Sequence, residues 1–584
     1  MSLHGKRCAP SVYPSTPGDL VIRFAARTDP GERGGIAHLE PLARLLASVR
    51  RRCPERLLES GCDTNGGCAS SRRRDDTARL MRGGCSRRLR CERSRAVLGE
   101  AGSMAKNRQW RVGVVALLAV VTTVLAGCAQ DANERAAQQV SASGGDWELA
   151  GSMTATGPNG PRKGVPDASL TAANGDGGAI DRLALNAVAD VQDFWTAQYA
   201  EHFPGTFKPV TRYISWDAKA AKAESVVFCE SSTYQLVNAA YCGGDHTIGW
   251  DRGVLLPKLV QNYGEMAVVM VLAHEYGHAI QGQAELAGFL TPPLVREQQA
   301  DCLAGVFLRH VAEGNSAHFT LNTTDGLNAV LGATVAVRDR DPNDPENVHG
   351  SAFERVTAVQ IGYSDGAPGC KKITRKEIAQ RRGNLPVTFE PGEEQAQLPV
   401  DVTSLTSMSA ALAEIFPIAR PPRFDYSGAG RTCSNVTVTR PVSYCPSENR
   451  IGTDVPALAE RGAPMADGDP LSAMVDGDYN AFVVFVSRYA LAVQQDRKLS
   501  LTGAETAGLR TACLSGVVTT KLSEPGSDPH LSAGDLDEAV SGLLADGLAA
   551  ADVNGKVVPS GYQRLEAFRT GVLDGEGACL AKFR

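Results

Sequence analysis

The residues with the clearest capacity for chemistry lie in HEYGHAIQ, residues 274–281. His274 and His278 are four positions apart, and the apolar run 266–273 before them predicts that both lie on one buried helix. Two imidazoles on one helix face can bind the same Zn²⁺ ion. Glu275 lies about 100° further round the helix axis, where it can act as general base and acid beside a zinc-activated water. The stretch therefore predicts hydrolytic zinc chemistry with Glu275 as the catalytic residue.

A catalytic zinc site also needs a third protein ligand, and VREQQADCLAG, residues 295–305, offers two carboxylates four positions apart. We expect Glu297 to be this ligand, which gives a His₂Glu site for one Zn²⁺ per chain. We expect Asp301 to orient one of the ligand imidazoles by accepting its other N–H. Considered without the histidines, the same two carboxylates would instead indicate a solvated helix face.

An internal repeat helps to separate catalytic residues from scaffold residues. Four segments recur in the same order at a nearly constant offset. The paired segments are 228–251 and 432–454, HEYGHAIQ and SRYALAVQ (487–494), 300–305 and 511–516, and 351–370 and 560–579. The repeat predicts a catalytic domain over residues 181–375, followed by a copy of it over residues 401–584.

The second copy lacks every proposed metal-site residue. The residues opposite His274, Glu275, His278, Glu297 and Asp301 are Ser487, Arg488, Leu491, Gly508 and Ala512. The pairs that persist are those a fold needs without a metal, namely Tyr276/Tyr489, Gln281/Gln494, Gly305/Gly516, Arg355/Arg564, Gly362/Gly571 and Asp365/Asp574. We therefore predict that the second copy is inactive, and we assign Arg355 to the scaffold.

Two more histidines have no counterpart in the second copy. His349 lies in VHGS, which aligns with VPS of the repeat, and we propose it as an electrophile that stabilises the oxyanion of the tetrahedral intermediate. An ordinary surface or core histidine is an equally good interpretation of that residue. His246 lies opposite Glu448, and we expect it to be a loop residue rather than part of the cleft.

The cysteines that follow residue 128 are even in number and share the repeat, which outside the cytoplasm indicates a disulfide framework. The duplicated spacing favours four pairs: Cys229–Cys242, Cys433–Cys445, Cys302–Cys370 and Cys513–Cys579. Each of the two long loops closed in this way should stabilise its domain by about 4 kcal/mol.

The N-terminal part has the pattern of an export signal. From Met104 a basic head leads into the apolar run 112–124 and then LAGC, residues 125–128. This resembles a bacterial lipoprotein signal peptide, residues 104–127, with the lipid attached to Cys128. We expect translation to begin at Met104, which would leave the basic, cysteine-rich residues 1–103 disordered or untranslated. The alternatives are a zinc or disulfide module in 1–103 and a buried helix at 112–126.

Low-complexity sequence indicates the connections between these parts. Residues 128–180 are rich in Gly, Ala, Ser, Asp and Asn, and they lack apolar periodicity, which predicts a flexible tether above the membrane. The polar, proline-containing residues 376–400 predict a linker between the two copies.

Together, YCGGD, HEYGHAIQ, EQQADCLAG and HGSAFERVTAVQIGYSDG resemble the motif series of the bacterial predicted neutral zinc metallopeptidase family. The resemblance covers roughly residues 180–375, with a degenerate echo in 401–584. It implies that His274 and His278 are ligands and that Glu275 is the catalytic acid and base. It is also compatible with Glu297 as the third ligand. Two positions depart from the family pattern, because Ala279 replaces a second histidine and Gly243 replaces a proline.

We therefore expect an α+β fold, zincin-like and mainly helical, in an extracytoplasmic zinc metallopeptidase. Its expected partners are a peptide or protein substrate and the membrane, through lipid on Cys128. The net charge of −5 gives no indication of a nucleic-acid partner. Two alternatives stay open: a non-catalytic envelope lipoprotein, and a zinc amidase that acts on peptidoglycan.

Overall fold

The computed structural model describes residues 156–339, 348–382, 385–386, 397–430, 432–463 and 471–584, all within one unit of the chain. These residues form an α+β fold that is mainly helical, with thirteen α-helices and four small sheets in the described ranges. The predicted segments 1–103 and 104–127 and the predicted lipid-attachment residue Cys128 lie outside them. Across the described residues, no helix combines the length and the apolar character needed to span a membrane.

The N-terminal half, residues 156–382, contains seven helices among its described residues. They are α1 (Ala179–His202), α2 (Leu255–Tyr263), α3 (Glu265–Gln283), α4 (Pro293–Ala312), α5 (Asp325–Ala336), α6 (Ala352–Cys370) and α7 (Arg375–Arg382). Its strands are β1 (Gly160–Pro161), β2 (Arg212–Trp216), β3 (Val227–Phe228), β4 (Ser231–Ser232), β5 (Ala239–Cys242), β6 (Thr247–Asp251) and β7 (Phe319–Thr320). A short 3₁₀ helix covers Lys222–Glu224.

The C-terminal half, residues 397–584, contains six helices and three strands in its described part. They are α8 (Val402–Ile415), β8 (Arg423–Asp425), β9 (Val442–Cys445), β10 (Arg450–Thr453), α9 (Val455–Arg461), α10 (Tyr479–Asp496), α11 (Leu509–Leu522), α12 (Asp535–Ala545) and α13 (Gly561–Lys582). A π-helical turn, Gly503–Gly508, precedes α11, and a 3₁₀ helix, Leu548–Ala550, follows α12.

Each half has one three-stranded sheet, and the strand arrangement is the same in both. In the N-terminal half β2 runs parallel to β6, and β5 pairs antiparallel with the other side of β6. In the C-terminal half β8 runs parallel to β10, and β9 pairs antiparallel with its other side. Strand β5 therefore lies at a sheet edge, where its register sets Tyr241 opposite Ile248.

Helix α3 is buried on every side, which explains its nearly continuous apolar sequence. Its residues from Met266 to Gln281 are all buried, and α4 packs against it. Helix α4 in turn lies so close to α6 that a Cβ atom at Gly362 would be 1.8 Å from the carbonyl oxygen of Cys302. The equivalent contact between α11 and α13 puts such an atom at Gly571 1.7 Å from the carbonyl oxygen of Cys513. Only glycine fits where two helix backbones approach this closely.

The four disulfides predicted from the repeated spacing are present. They are Cys229–Cys242, Cys302–Cys370, Cys433–Cys445 and Cys513–Cys579, with Cα–Cα distances of 5.5, 5.5, 5.7 and 5.5 Å. The second and fourth bonds join α4 to α6 and α11 to α13, the two helix pairs with the close glycine contacts. Covalent and packing constraints therefore act on the same pairs of helices.

The structure differs from the expected tether and linker at their ends. Residues 156–178 are bound to the fold: β1 pairs antiparallel with β7, the Arg162 guanidinium donates to carbonyls of the 314–319 turn, and Ala173 forms a bridge with Ile214. Gly- and Ala-rich composition suggests flexibility, but small side chains also let a backbone lie against a neighbouring strand. Similarly, α7 continues the N-terminal half beyond its predicted end at residue 375.

Candidate metal centre

Helices α3 and α4 bring the three predicted ligands together inside the N-terminal half. His274 Nε2 lies 3.2 Å from Glu297 Oε2, and His278 Nε2 lies 3.5 Å from the same oxygen. One ligand atom from each residue lies within 4.8 Å of the others. The two imidazole planes are nearly perpendicular, at 89°, and all three side chains are buried. The helical spacing of four residues thus places both rings over one carboxylate.

The outer nitrogen of each imidazole contacts a fixed acceptor. His274 Nδ1 lies 2.8 Å from Asp301 Oδ1, and His278 Nδ1 lies 2.9 Å from Gln281 Oε1. Gln281 is itself held in place because its amide group donates to the Arg296 carbonyl oxygen at 2.6 Å. With hydrogen held on Nδ1, each ring can offer the lone pair of Nε2 to a metal ion on the side of Glu297. The repeat assigned Gln281 to the scaffold, and the structure also places it against a predicted ligand.

Arg355 on α6 supports Asp301 from the opposite side. Its Nε and Nη2 donate to Asp301 Oδ2 and Oδ1 at 2.9 and 2.8 Å, and its Nη1 donates to the Val337 carbonyl oxygen at 2.5 Å. Burial alone would raise the pKa of Asp301, but Arg355 and His274 lower it to about 2. Asp301 therefore stays ionised and holds His274. Arg355, predicted to belong to the scaffold, therefore also supports a residue of the proposed site.

Glu275 lies beside the ligands and is held by the edge strand β5. The backbone N–H of Tyr241 donates to Glu275 Oε2 at 2.9 Å. Burial raises the pKa of Glu275, while His274 and His278 act in the opposite direction. A buried carboxyl group with a raised pKa is suited to accepting and returning a proton near neutral pH.

The structure also brings His349, predicted as an electrophile, to the same centre. Its Nε2 lies 3.8 Å from Glu297 Oε2, and its Nδ1 lies 3.0 Å from Asp339 Oδ1. The other oxygen of Asp339 accepts the backbone N–H groups of His349 and Gly350, both at 2.7 Å. Gln298 on α4 donates to the His349 carbonyl oxygen at 2.9 Å. The turn that carries His349 is thus fixed at both its side chain and its backbone.

His246 is an exposed residue between strands β5 and β6. Its Nδ1 is 2.6 Å from the Tyr241 hydroxyl oxygen, and Tyr241 is the residue whose N–H binds Glu275. Burial, with a smaller effect of Asp245, raises the pKa of the Tyr241 hydroxyl to about 12. His246 is therefore connected to the site through Tyr241 and does not contact the ligands.

The donor set fits a zinc ion. Two imidazole nitrogens and one carboxylate oxygen are the three-ligand set that catalytic zinc uses, with a further position left for water or substrate. Burial alone would lower the pKa of His274, yet Asp301 and Glu297 raise it to about 10. The imidazoles of His278 and His274 hold the pKa of Glu297 well below its usual range despite its burial. The buried carboxylates thus create a negative potential that a divalent cation would neutralise.

The region of the C-terminal half that the predicted repeat sets opposite this centre has a different chemistry. Arg488, at the position of Glu275, is buried and donates to the carbonyl oxygens of Leu548 at 2.6 Å and Asp552 at 3.4 Å. Burial lowers the pKa of Arg488 to about 10, which still leaves the guanidinium charged at neutral pH. Ser487, at the position of His274, donates to the Val484 carbonyl oxygen of its own helix. A buried cation therefore lies at the position that the sequence repeat sets opposite Glu275, the predicted catalytic carboxylate.

Sequence reasoning missed a group of buried acids in the C-terminal half. One ligand oxygen each from Asp478, Asp535 and Glu538 lies within 4.8 Å of the others. Burial raises the pKa of Asp478 to about 6 and, with help from Asp478, that of Glu538 to about 8. Glu538 also accepts the backbone N–H of Tyr479 at 2.7 Å and the amide of Gln397 at 3.2 Å. Asp535 and Glu538 lie on α12, but Asp478 precedes α10, so no local spacing in the sequence joins all three acids.

Sequence reasoning also missed the contribution of Asp339 and of the Tyr241 backbone. Asp339 lies in the segment DRDPNDPE, which contains several acids that the sequence alone does not distinguish. The Tyr241 donor is a main-chain N–H, which does not depend on the identity of the side chain. One signal could have indicated Asp339. His349 has no counterpart in the second copy, and a buried histidine needs a hydrogen-bond partner for its other ring nitrogen, which a nearby acid can supply.

Comparisons with known proteins give a limited, partial similarity. A 156-residue alignment is 30% identical to the uncharacterized protein Rv2575 of Mycobacterium tuberculosis, and the same values hold for the uncharacterized protein Mb2605 of Mycobacterium bovis. The alignment covers 23% of this chain and 53% of each relative, so the chain spans about half the length of the curated relatives it matches. No family model matches the chain. No solved structure matches it.

Proposed function

We propose that this protein is a zinc-dependent metallopeptidase whose centre is His274, His278 and Glu297. One observation carries the proposal: the three buried side chains converge on one point, with each imidazole Nδ1 held by its own acceptor. Glu275 lies beside them on the same helix, as a general base must. The motif series that resembles the neutral zinc metallopeptidase family supports the same function.

In peptide-bond hydrolysis, Glu275 and His349 would have different roles beside the metal. When bound, Zn²⁺ would polarise the scissile carbonyl and lower the pKa of a coordinated water. Glu275 would accept a proton from the attacking water and return it to the leaving amine, with its carboxylate oriented by the Tyr241 N–H. His349 would donate Nε2–H to the oxyanion, with its ring held in place by the contact of Nδ1 with Asp339.

The position of strand β5 supports a peptide or protein as the substrate. This strand lies at the edge of its sheet, and Tyr241 within it contacts Glu275. An extended peptide could add to that edge through backbone hydrogen bonds and bring its scissile bond over the metal centre. The basis for describing the N-terminal half as zincin-like is α3, the helix that carries His274, Glu275 and His278.

We further infer that the C-terminal half is a degenerate copy of the N-terminal half. Shared strand order, corresponding disulfides and the matching contacts of Gly362 and Gly571 support this. Helices α6 and α13 also have the same irregularity, a glycine of positive φ one turn before the disulfide, Gly366 in α6 and Gly575 in α13. The charged Arg488 in place of Glu275 supports loss of the metal site.

An extracytoplasmic, lipid-anchored location is part of the proposal. The predicted signal peptide and Cys128 lead to this location, and the four disulfides support an oxidising compartment. The membrane would then be a partner through the lipid, in addition to the peptide or protein substrate.

The test compares the full-length protein, purified in mild detergent, with its Glu275→Gln variant. Both should hold zinc stoichiometrically, because Glu275 is not a ligand. Cleavage of a fluorogenic peptide library should fall by about 10²- to 10⁴-fold in the variant. Glu285→Gln is the matched control, since this exposed glutamate lies just beyond the same helix and should leave activity unchanged.

The other outcomes separate the alternatives. Stoichiometric zinc without any Glu275-dependent hydrolysis would indicate a non-catalytic lipoprotein. Glu275-dependent release of muropeptides, with peptides left intact, would indicate a peptidoglycan amidase. Absence of zinc from wild-type protein loaded with excess metal would contradict the proposed centre itself.

A further inference from the structure

The beginning of helix α6 is capped by a residue from the C-terminal half of the chain. Asp537 on α12 is buried, and its Oδ2 accepts the N–H of Ala352 at 2.8 Å while Oδ1 accepts the N–H of Phe353 at 3.1 Å. The same carboxylate lies 3.9 Å from Arg338 Nε. Arg338 precedes Asp339, the residue that holds His349.

This contact completes a cap that the helix cannot complete alone. Ser351 and Glu354 form a capping box, in which the Ser351 side chain accepts the N–H of Glu354 and the Glu354 side chain accepts the N–H of Ser351. The N–H groups of Ala352 and Phe353 remain, and buried donors at a helix start need acceptors. Asp537 supplies both, and its negative charge also interacts favourably with the positive end of the helix dipole.

The capped turn holds the parts of the proposed centre that come from outside α3 and α4. His349 lies just before the cap, and Arg355 lies one residue after the capping box. Arg355 holds Asp301, which in turn holds the His274 ring. A change in where α6 begins would therefore move the partner of one ligand and the His349 imidazole together.

We propose that Asp537 is a positioning residue for the metal centre, so that the C-terminal half contributes directly to the site of the N-terminal half. This inference rests on the proposed zinc function and extends it by assigning a role to a half that lacks the ligands. Asp537 acts through α6 and touches neither the ligands nor the substrate position.

A reciprocal contact provides a matched control. Asn328 on α5 of the N-terminal half accepts the N–H of Gly561 at 2.6 Å, and its amide donates to the Pro559 carbonyl oxygen at 2.8 Å. It therefore caps α13, the counterpart of α6 in the C-terminal half, through a side chain from the other half. Asn328→Ala breaks the same kind of contact at the start of α13 and leaves the Asp537 bonds to the start of α6 in place.

The experiment measures zinc affinity of the full-length protein by competition with a chromophoric chelator, together with the thermal unfolding midpoint. Asp537→Ala should weaken zinc binding by about tenfold, the lower end of the effect seen for groups that support metal ligands. Asp537→Asn, which retains an oxygen for one of the two N–H groups, should recover part of that affinity. Asn328→Ala should lower the unfolding midpoint and leave the zinc affinity within about twofold of wild type, well below the effect expected when ligand support is lost.

Equal zinc affinity in wild type and folded Asp537→Ala would overturn the inference, as would an equal loss in Asn328→Ala. If Asp537→Ala does not fold, the zinc affinity of Asp537→Asn is compared with wild type instead. Weaker zinc binding in Asp537→Asn would support the inference, and wild-type zinc binding would overturn it. A wild-type protein that binds no zinc would overturn the proposed function and this inference with it. A zinc-binding wild type with an unaffected Asp537→Ala would overturn the inference alone.

Discussion

The replacement Asp301→Asn tests whether the metal centre depends on the charge behind His274. Asn has the same shape as Asp, so the change removes a charge and introduces an NH₂ group while adding no bulk. In the structure Asp301 accepts three hydrogen bonds, from Arg355 Nε and Nη2 and from His274 Nδ1, at 2.9, 2.8 and 2.8 Å. An amide has one oxygen and two N–H donors, so it can satisfy only part of this set.

The size of the expected effect of Asp301→Asn follows from the buried Arg355 guanidinium, which would lose its charged partner. The Arg355 side chain is only 3% exposed and the Asp301 side chain 0%. Removing one member of a buried ion pair costs about 3–5 kcal/mol, so we expect this loss in the free energy of unfolding. Loss of a group that orients a ligand imidazole weakens metal binding by about 10- to 100-fold, equivalent to about 1.4–2.7 kcal/mol.

The assay separates these two effects. Urea unfolding in the presence of chelator gives the stability loss of the metal-free protein, and chelator competition on the folded protein gives zinc affinity. Asp190→Asn is the control because Asp190 is also buried and also bonds a histidine ring, that of His318, together with the Ser316 hydroxyl. Its loss should lower stability and leave zinc affinity unchanged, since these residues do not touch the proposed ligands.

Wild-type zinc affinity in folded Asp301→Asn would refute the reasoning that Asp301 fixes the His274 ring. Equal losses of zinc affinity in Asp301→Asn and Asp190→Asn would also refute it, because they would show that affinity follows general stability. Weaker zinc binding in Asp301→Asn alone is the outcome that the geometry predicts.

Two further predictions concern the fold. Gly362→Ala should lower the free energy of unfolding by about 3 kcal/mol, since the added methyl group would lie 1.8 Å from the Cys302 carbonyl oxygen. Urea titration should show this loss. The control Gly282→Ala, with open space at its Cβ position, should be neutral or stabilising. Burial and Asp478 raise the pKa of Glu538 from 4.5 to about 8, so the folded chain holds more protons than the unfolded chain between these values and stability should fall as pH rises through that range. Glu538→Gln should flatten this slope in thermal unfolding, and an unchanged slope would contradict the effect of burial on this acid.

The sequence could predict that the three proposed ligands lie close together, because helical spacing reports directly on geometry. His274, His278 and Glu297 each lie on helices whose periodicity is visible in the sequence, and the structure brings them to one point. The disulfides could be predicted because the duplicated spacing selects one connectivity among many. In both cases a local or repeated pattern carries the three-dimensional information.

The supporting contacts could not be predicted in the same way. The Tyr241 N–H that holds Glu275 is a main-chain group, available at any residue type. The bond from Asp537 to α6 spans 185 residues in sequence, and no periodicity relates its partners. The bound segment 156–178 was missed for a related reason, since hydrogen bonds made by backbone groups do not require a particular side chain.

The two halves differ in chemistry, yet neither is structurally independent of the other. Arg488 donates its buried guanidinium to carbonyl oxygens within the C-terminal half, which stabilises that half without a metal. Asp537 meanwhile caps α6 and Asn328 caps α13, each across the boundary between halves. Separating the halves would leave the N–H groups of Ala352 and Phe353 without their acceptor at the start of the helix that carries Arg355. A half that lacks the proposed ligands can therefore still be required for the proposed metal centre, because it supplies the cap that fixes where that helix begins.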